Sequence, residues 1–295
     1  MTRLGIIGMS DGNGHPYSWS AICNGYDVAA MEDCGFSSIP RYLAKQKWPQ
    51  DRLPETVVTH VWAQDSARAA HIAKAGLIDH VVAQPEAMIG AIDGLLLARD
   101  DAENHWQLAS PFLKAGIPVY LDKAPALSVI NFDNLIAAQK RSGLIFSGTA
   151  LHYARELTLD TAARQAIGPI RHIFGMTPKS WDRYAVHVIE PAMLLLGEAG
   201  PVISVRDWSE GSARGLDVGF ENGAQAHFSA LGDVDAPISL RVIGEKGWRD
   251  LVFSDSFSCF RTALAEFVAG VRDGHSRGNL DFLRRVVELL ERGRA

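Results

Sequence analysis

The sequence predicts a two-domain α/β protein, with a parallel sheet in its N-terminal domain and a large open, mostly antiparallel sheet in a C-terminal α+β domain. The chain of 295 residues is about twice as long as a usual single domain. Up to about residue 127, short apolar runs alternate with helical patterns, which is typical of β-α units and a parallel sheet. From residue 202 to residue 253, alternation with a period of two dominates instead, which predicts strands with one buried face.

The N-terminal domain, residues 1–127, is predicted from five apolar runs and the helical patterns between them. The predicted strands span residues 4–8, 57–64, 80–82, 94–98 and 119–121. Helices are predicted over 66–75 and 103–115, and Gly116 follows the second one, where left-handed geometry ends a helix. Residues 26–55, which include three prolines, are too long for an ordinary connection and are predicted as an insertion. Its aromatic and basic residues either cover a ligand as a lid or pack on the surface.

The C-terminal domain, residues 128–295, begins with helices and short strands before the alternating region. Helices are predicted over 132–141 and 154–166, and strands over 144–147 and 170–176. Two amphipathic helices close the chain, since apolar residues recur at helical spacing over 264–271 and 283–290. An α/β half that precedes an α+β half is the plan of a two-domain enzyme. We therefore expect the site where the carboxyl ends of the parallel strands face the second domain.

Composition and charge exclude several classes of protein. The net charge is −5 and the lysines and arginines are scattered, so no basic patch predicts binding to nucleic acid or to an anionic membrane. No run of about 18 apolar residues predicts a membrane span. The three widely spaced cysteines fit neither a disulfide framework nor a zinc site. The first predicted strand leaves no room for a secretion signal, so we expect a cytoplasmic protein. Because no basic patch is predicted, we expect its partner to be a small molecule.

The first strand leads into a glycine-rich loop that departs from the G-x-G-x-x-G spacing of a dinucleotide-binding turn. Gly8 suits the tight turn, whereas Ser10 and Asn13 stand at the second and third glycine positions. Pro16 suits the first turn of a helix, and the N–H groups before it would point at an anion. Asp11 places a carboxylate near the expected phosphates, so it must turn away or cap the helix. The loop is therefore interpreted either as a pyrophosphate site or as a plain strand-to-helix turn.

The acid that ends the second strand, Asp65, bears on the choice of cofactor. A carboxylate there accepts hydrogen bonds from the adenosine ribose and repels a 2′-phosphate, which favours NAD over NADP. Asp65 also precedes a helical pattern, so a role as helix N-cap explains it equally well. Arg68 nearby keeps NADP open as an alternative.

Longer stretches of the chain resemble the Gfo/Idh/MocA family of oxidoreductases. The resemblance rests first on "DGLLLARDDAENHWQLASPFLKAGIPVYLDKAPALS", where a strand, a helix with His105, a second strand and Asp-Lys-Ala-Pro follow one another. It continues in "IGPIRHIFGM", "YAVHVIEPAMLLLG" and "VIGEKGWRDLVF", and so covers essentially the whole chain. It implies a Rossmann domain followed by a domain with a large open sheet, and NAD or NADP as cofactor. It also implies a sugar, nucleotide sugar or cyclitol as substrate, and a homodimer or homotetramer.

The resemblance also assigns two catalytic residues. Lys123 matches the family's catalytic lysine, and His187 matches its general acid/base histidine. Arg183 stands four residues before His187, where the family often has an acid, and Asp182 lies one position earlier. The acid of the family's lysine–acid–histidine triad is therefore not matched in place. Glu190, three residues after His187, is expected to orient that histidine.

Lys123 and His187 suit the removal of a hydride from a secondary alcohol. The hydroxyl group needs a base for its proton, and the developing alkoxide needs a cation. We expect His187 to be the base and Lys123 the cation; a satisfied core histidine and a surface lysine are the structural alternatives. His187 and Glu190 share a helix face at a spacing compatible with two metal ligands. No third ligand lies at a telling distance, so no metal is predicted.

Further residues in both domains are predicted to bind cofactor or substrate. The predicted cofactor-binding residues are Gly8, Ser10, Asp11, Gly12, Asn13, Gly14, His15, Asp65, Arg68, Ala98, Arg99, Asp100, His105, Asp122 and Lys123. A second set is rich in hydrogen-bonding and ring-stacking groups, which suit a polyhydroxylated ligand. The predicted substrate-binding residues are Lys123, His152, Tyr153, Lys179, Trp181, Asp182, Arg183, Tyr184 and His187.

These features together predict an NAD(P)-dependent oxidoreductase that transfers a hydride to or from a carbohydrate-like molecule. Two alternatives stay open. One is elimination or glycoside cleavage in which bound NAD is used only transiently. The other is a non-catalytic sensor of cofactor or ligand, which the broken glycine spacing and Arg183 favour.

Overall fold

The computed structural model describes residues 1–197 and 199–294. Its strands are β1 (Thr2–Ile7), β2 (Thr56–Trp62), β3 (His80–Val81), β4 (Gly94–Leu97), β5 (Val119–Leu121), β6 (Ile145–Ser147), β7 (Ile170–Thr177), β8 (Val202–Glu210), β9 (Ala213–Phe220), β10 (Gln225–Ala230), β11 (Ser239–Gly244) and β12 (Trp248–Val252). Its helices are α1 (His15–Asn24), α2 (Val28–Glu32), α3 (Ser38–Leu43), α4 (Ser66–Ala75), α5 (His105–Ala115), α6 (Val129–Ala137), α7 (Thr161–Ile167), α8 (Trp181–Tyr184), α9 (Val186–Leu196), α10 (Ser256–Asp273) and α11 (Leu280–Arg292).

Strands β1 to β6 form a parallel sheet in the order β3-β2-β1-β4-β5-β6. The strands predicted for the N-terminal domain are all present, with ends shifted by at most two residues. The strand predicted over 144–147 belongs to this sheet as well, because β6 pairs in parallel with β5 and places Ser147 opposite Leu121. Six short apolar strands connected by helices thus confirm the predicted parallel sheet.

The chain divides into two compact units. The first comprises Met1–Ala126, Ile130–Ser147 and Ser256–Leu280. The second comprises Leu127–Val129, Gly148–Asp255 and the C-terminal segment from Asp281. This division differs from the predicted boundary after residue 127, because β6 extends the first sheet and α10 packs in the first unit.

Aromatic side chains explain why α10 belongs to the first unit. Trp19 of α1 stacks on Tyr120 of β5, with ring centroids 4.7 Å apart. Phe267 of α10 lies 5.7 Å from Tyr120 and 5.9 Å from Phe146 of β6. All four side chains are almost fully buried, so the apolar face of α10 completes the core on this side of the sheet.

The predicted insertion, residues 26–55, contains α2 and α3 and packs on α1. The Tyr42 hydroxyl donates to Ser18 Oγ at 2.5 Å. Ile39 is buried, and its Cδ1 lies 2.6 Å from the place where a Cβ on Gly14 would be. These contacts favour the packed alternative over a free lid.

The second unit is built on a mixed sheet in the order β12-β11-β7-β10-β9-β8. Neighbouring strands are antiparallel except β7 and β10, which are parallel. Helix α9 covers the inner face so closely that a Cβ on Gly175 would lie 2.9 Å from Val188 Cβ. The outer face carries a groove of about 740 Å³ and leaves Phe174 43% exposed. This open, mostly antiparallel sheet confirms the second half of the predicted fold class.

One predicted helix is wrong in its first half. Residues 155–157 form a single 3₁₀ turn, and α7 begins only at Thr161. The reason is Asp160, whose carboxylate accepts a hydrogen bond from Ala163 N at 2.7 Å and caps the helix there. Within the described ranges, no helix combines the length and the apolar character needed to cross a bilayer.

Candidate functional site

The loop between β1 and α1 is tightly packed at both ends and open at its tip. A Cβ on Gly8 would lie 2.4 Å from Pro16 Cγ, so only glycine fits there. Gly12 has φ +74°, is exposed, and has no neighbouring atom within 4 Å of the place a Cβ would take. The exposed backbone at Gly12 therefore permits close approach of a ligand.

The two polar residues at the missing glycine positions bind the loop to the carboxyl ends of β4 and β5. Ser10 Oγ donates to Asp100 Oδ1 at 2.6 Å and accepts from Asp100 N at 3.1 Å. Asn13 Nδ2 donates to Asp122 Oδ2 at 2.8 Å, and its Oδ1 accepts from His15 N at 2.8 Å. The departures from the glycine spacing thus act as side-chain ties between three segments of the sheet edge.

Lys123, the predicted catalytic lysine, is buried at the carboxyl end of β5 with 5% of its surface exposed. Its Nζ donates to Asp100 Oδ2 at 3.0 Å. Asp100 is 6% exposed. A buried ammonium needs such a partner, so Asp100 holds Lys123 in position.

Asp122 carries a fixed negative charge. Burial favours its neutral form, but the charges of His15 and Lys123 and the hydrogen bonds from His15 and Asn13 outweigh that effect. The pKa of Asp122 therefore lies well below its ordinary value. His15 Nδ1 lies 2.5 Å from Asp122 Oδ2, and its ring stacks on Trp19 at 5.1 Å.

A third buried pair follows β4. Arg99 donates to Asp101 through Nε at 2.9 Å and through Nη2 at 2.5 Å. Burial opposes the ionisation of Asp101, but Arg99 and the amide of Asn104 lower its pKa below the ordinary value. The carboxylates beside the loop are thus matched by cations, which removes the repulsion that a phosphate would otherwise meet.

The residues of the loop before α1 and at the start of α4 fit a dinucleotide. Gly12 is open, Asp11 is exposed, and α1 begins directly afterwards with its positive end. Asp65 caps α4, because its Oδ1 accepts from Ala67 N at 2.9 Å. Arg68 is exposed on α4 and donates to the Tyr17 hydroxyl at 3.4 Å.

Two of the predicted cofactor residues lie beneath this surface. His105 is fully buried, and its ring nitrogens lie 3.0 Å from Pro125 O and 2.8 Å from Arg99 O. Ala98 is fully buried, and its N–H donates to Ile7 O. Both residues pack beneath the strand ends.

The second unit positions His187, the predicted acid/base histidine, on α9. His187 is 7% exposed, and its Nδ1 lies 2.6 Å from Thr149 Oγ1. The Tyr184 ring lies 5.1 Å from it, nearly edge-on. Lys179 Nζ donates to the Tyr184 hydroxyl at 2.7 Å. These four side chains form one polar cluster.

Glu190 does not orient His187, contrary to the sequence prediction. Its Oε1 lies 2.9 Å from His152 Nδ1, and its Oε2 accepts from Thr149 N at 2.7 Å. Burial raises the pKa of Glu190 above its ordinary value, and the bonds from His152 and Thr149 offset only part of that rise. Glu190 therefore orients His152, whose ring is tilted against that of Tyr153 with the centroids 4.8 Å apart.

Two of the predicted substrate residues, Trp181 and Asp182, have hydrogen-bond partners within the second unit. Trp181 is 3% exposed, and its Nε1 donates to Leu290 O of α11 at 2.9 Å. Asp182 accepts from Arg294 Nε at 2.9 Å. Arg183 is half-buried on the same turn. In residues 1–197 and 199–294, no three His, Cys, Asp or Glu side chains converge as metal ligands.

Thr149 is the site residue that the sequence did not suggest. It follows β6 after Gly148 and binds both His187 and Glu190. Thr149 could have been found from the topology, because it is a hydroxyl residue just beyond the carboxyl end of a parallel strand. That signal is visible only when β6 is assigned to the first sheet.

Comparison with known proteins shows the fold and nothing finer. No protein-family model and no curated protein matches the sequence. Solved structures do match. UDP-N-acetylglucosamine 3-dehydrogenase GnnA from Acidithiobacillus ferrooxidans has a TM-score of 0.72 at 14% identity, covering 99% of this chain and 96% of that one.

Two further structures give the same result. Myo-inositol 2-dehydrogenase from Lactobacillus plantarum has a TM-score of 0.72 at 15% identity, covering 98% of this chain and 95% of that one. GenD2 from gentamicin A biosynthesis, in complex with NAD, has a TM-score of 0.73 at 15% identity, covering 99% and 93%. The resemblance to the Gfo/Idh/MocA oxidoreductases is thereby confirmed at the level of the fold.

Proposed function

We propose that this chain is an oxidoreductase that uses NAD or NADP to oxidise a CH–OH group of a sugar, nucleotide sugar or polyol, or to form one in the reverse direction. The observation that carries the proposal is Lys123, a lysine 5% exposed at the carboxyl edge of a parallel sheet and paired with Asp100. The fold that it shares with dehydrogenases of an inositol and of UDP-N-acetylglucosamine supports the same reaction class.

The residues proposed to hold the cofactor lie on the loop before α1 and at the start of α4. Gly12 lets the pyrophosphate approach the backbone, and the positive end of α1 favours its charge. Asp65 uses Oδ1 to cap α4, and its second oxygen suits a ribose hydroxyl, which favours NAD. A bound nicotinamide supplies the hydride acceptor, or the donor in the reverse direction.

Lys123 and His187 are proposed to handle the charge and the proton of the substrate hydroxyl. As the O–H bond breaks, the proton passes to the imidazole of His187, and the ammonium of Lys123 stabilises the alkoxide. Asp100 and Thr149 keep these two groups in position. In reduction the same residues act in reverse, with the histidine returning a proton to the new hydroxyl.

The test is turnover by the purified full chain with NAD⁺ or NADP⁺ and a panel of myo-inositol, glucose and UDP-N-acetylglucosamine. Lys123→Met and His187→Asn should each lower kcat by about 10²- to 10⁴-fold, with cofactor affinity within a few-fold of wild type. The readouts are reduced nicotinamide absorbance and calorimetric cofactor binding. Because Lys123→Met leaves the Asp100 carboxylate without this ammonium, the double variant with Asp100→Asn separates lost chemistry from unfolding.

Lys114→Met and His227→Asn are matched controls in the same two units, and both should keep wild-type turnover. Full turnover in the Lys123 and His187 variants would contradict the assignment. Cofactor binding without any turnover by the wild type would favour the sensor.

A further inference from the structure

Glu190 is a buried carboxylate with a histidine and a backbone N–H as hydrogen-bond partners. It is 1% exposed on α9. Its Oε2 accepts from Thr149 N at 2.7 Å, and its Oε1 lies 2.9 Å from His152 Nδ1. A Cβ on Gly148, which has φ +120°, would lie only 2.7 Å from Oε1. The residue before Thr149 must therefore be glycine for the carboxylate to fit.

The partner of this carboxylate can itself gain and lose a proton. The side chain of His152 is 35% exposed, whereas that of Glu190 is 1% exposed. Tyr153 lies 4.8 Å from the His152 ring, and Phe282 of α11 meets it edge-on at 6.3 Å. Arg285 lies on Phe282, with its guanidinium carbon 5.9 Å from the centroid of that ring. The carboxylate of Glu190 is thus the charged group hydrogen-bonded to His152.

The hydrogen bond between His152 Nδ1 and Glu190 Oε1 determines which atom of the pair exchanges protons with the surroundings. With an ionised Glu190, Nδ1 must donate, so the neutral imidazole keeps a lone pair on Nε2. When the pair takes up a proton, that proton resides on Nε2, whether the shared hydrogen then lies on Nδ1 or on Oε1. Nε2 is therefore the proton-exchanging atom in either description.

His187 has a different neighbour at Nδ1. That nitrogen lies 2.6 Å from the hydroxyl of Thr149, and Arg183 stands four residues earlier, where an acid is expected. The carboxylate that the sequence places three residues after His187 is bonded to His152 instead. Thr149 links the two histidines, since its N–H binds Glu190 and its hydroxyl contacts His187.

We infer that His152 and Glu190 form an acid–base dyad in which His152 Nε2 is a second proton acceptor for the hydroxylated substrate. The inference rests on the proposed function. In oxidation the substrate O–H bond breaks and an N–H bond forms at His152 Nε2, and a bound nicotinamide would take up the hydride. The pair changes from one net negative charge to none, and the partly exposed ring returns the proton to solvent. In reduction, Nε2–H protonates the carbonyl oxygen.

The first experiment reads the proton directly and needs no substrate. In full-length protein with ¹⁵N-labelled histidine, the His152 signals are assigned by their loss in His152→Gln. In the wild type, Nε2 should lose its proton as the pH rises. In Glu190→Gln, the new amide keeps its oxygen on Thr149 N–H and turns its NH₂ toward Nδ1, which becomes the acceptor. Nε2 should then stay protonated at high pH.

The same result in both proteins would overturn the dyad. So would a wild-type His152 that keeps its proton on Nε2 at high pH. Glu190→Gln is nearly isosteric, so folding is retained and the comparison of tautomers stays valid. Glu156→Gln is the matched control, because Glu156 also accepts backbone N–H groups, from Ser254 and Asp255; it should leave the His152 signals unchanged.

The second experiment measures kcat and KM against pH with NAD⁺ and whichever of myo-inositol, glucose or UDP-N-acetylglucosamine the wild type oxidises fastest. Glu190→Gln should lower kcat about tenfold to a hundredfold, because His187 remains. KM should change little, and the limb of the pH profile that belongs to the dyad should disappear. Glu156→Gln should match the wild type.

The outcomes separate the two proposals. An active wild type whose kcat and pH profile survive Glu190→Gln and His152→Gln overturns the dyad and leaves the proposed function standing. A wild type that oxidises nothing with either cofactor overturns the proposed function, and the substrate-directed role of the dyad falls with it.

Discussion

Buried carboxylates behave in opposite ways in the two units. In the first unit, three acids after β4 and β5 each face a basic side chain. The pairs are Asp100 with Lys123, Asp101 with Arg99, and Asp122 with His15. In the second unit, Glu190 lies beside His152 and accepts a hydrogen bond from the backbone N–H of Thr149. The pKa falls for Asp101 and Asp122, whereas it rises for Glu190.

The difference lies in how far the partners offset burial, which opposes the ionisation of both carboxylates. Asp122 is bonded by His15 and Asn13 and lies beside the Lys123 ammonium, and its pKa falls well below the ordinary value. The pKa of Glu190 rises because of its burial, and His152 and the Thr149 N–H offset only part of that rise. A fixed ammonium suits the stabilisation of an alkoxide, and a titrating pair suits the movement of its proton.

The largest expected effect comes from removing the fixed charge of Asp122. Asp122→Asn would place an amide NH₂ against the donors of Asn13 or Lys123, and it leaves His15 without its counter-charge. Breaking a buried pair costs roughly 3–5 kcal/mol. We expect about 3 kcal/mol, because the His15 side chain is 18% exposed. The measurement is the free energy of urea unfolding at neutral pH.

The contribution of Asp122 to stability should depend on pH in a defined direction. The folded pKa of Asp122 is below the unfolded one, so its stabilisation is present above about pH 3.8 and is lost as the pH falls through the folded pKa. The difference between wild type and Asp122→Asn should therefore shrink in acid. Asp93→Asn is the control: its pair with Arg3 is exposed, so its loss should be within about 1 kcal/mol. Equal losses in the two variants would refute the distinction.

A smaller effect is expected from Ser10, the first of the two ties in the loop. Ser10→Ala removes the hydroxyl that donates to Asp100 Oδ1 and leaves Asp100 N–H without that acceptor. An unsatisfied buried group costs about 1–3 kcal/mol. Ser20→Ala is the control, because its buried hydroxyl donates only to the Pro16 carbonyl within α1. If both variants unfold at the same urea concentration, Ser10 is not a tie.

Much of the fold could be predicted because its signals are local. Continuous apolar runs indicate strands covered on both faces, as in β4, and the end residues of β5 were predicted without error. The assignment of β6 and α10 to the first unit depends on pairing with residues distant in the sequence. Tyr120, Phe146 and Phe267 meet in one core, yet no periodicity within each segment specifies its partner.

The site was predictable to the same degree. The resemblance predicts Lys123 and His187 as catalytic residues, and the structure puts Lys123 at a strand end and His187 on a helix with polar neighbours. The predicted partner of Glu190, His187, was wrong. A spacing of three residues shows which side chains share a helix face, but not which of them binds a residue from another segment. The hydrogen bond to His152 spans 38 positions in the sequence.

The smallest expected effect is a pH dependence of stability at Glu190 whose sign is opposite to that at Asp122. Because its folded pKa is above the ordinary 4.5, the folded state holds its proton longer than the unfolded state does. Wild-type stability from this group therefore falls as the pH rises above 4.5. Glu190→Gln should therefore gain on the wild type as the pH rises above about 4.5, by about 1.4 kcal/mol for each pKa unit of the shift.

Glu156→Gln sharpens this last comparison, because the two glutamates are shifted in opposite directions. Burial opposes the ionisation of Glu156, but the backbone N–H groups of Ser254 and Asp255 lower its pKa. Glu156→Gln should therefore lose slightly relative to the wild type as the pH rises. Urea unfolding of both variants across the same pH range measures the two slopes. Slopes of equal sign would mean that Glu190 is held as a fixed charge, like Asp122, and that the second unit has no proton-exchanging carboxylate.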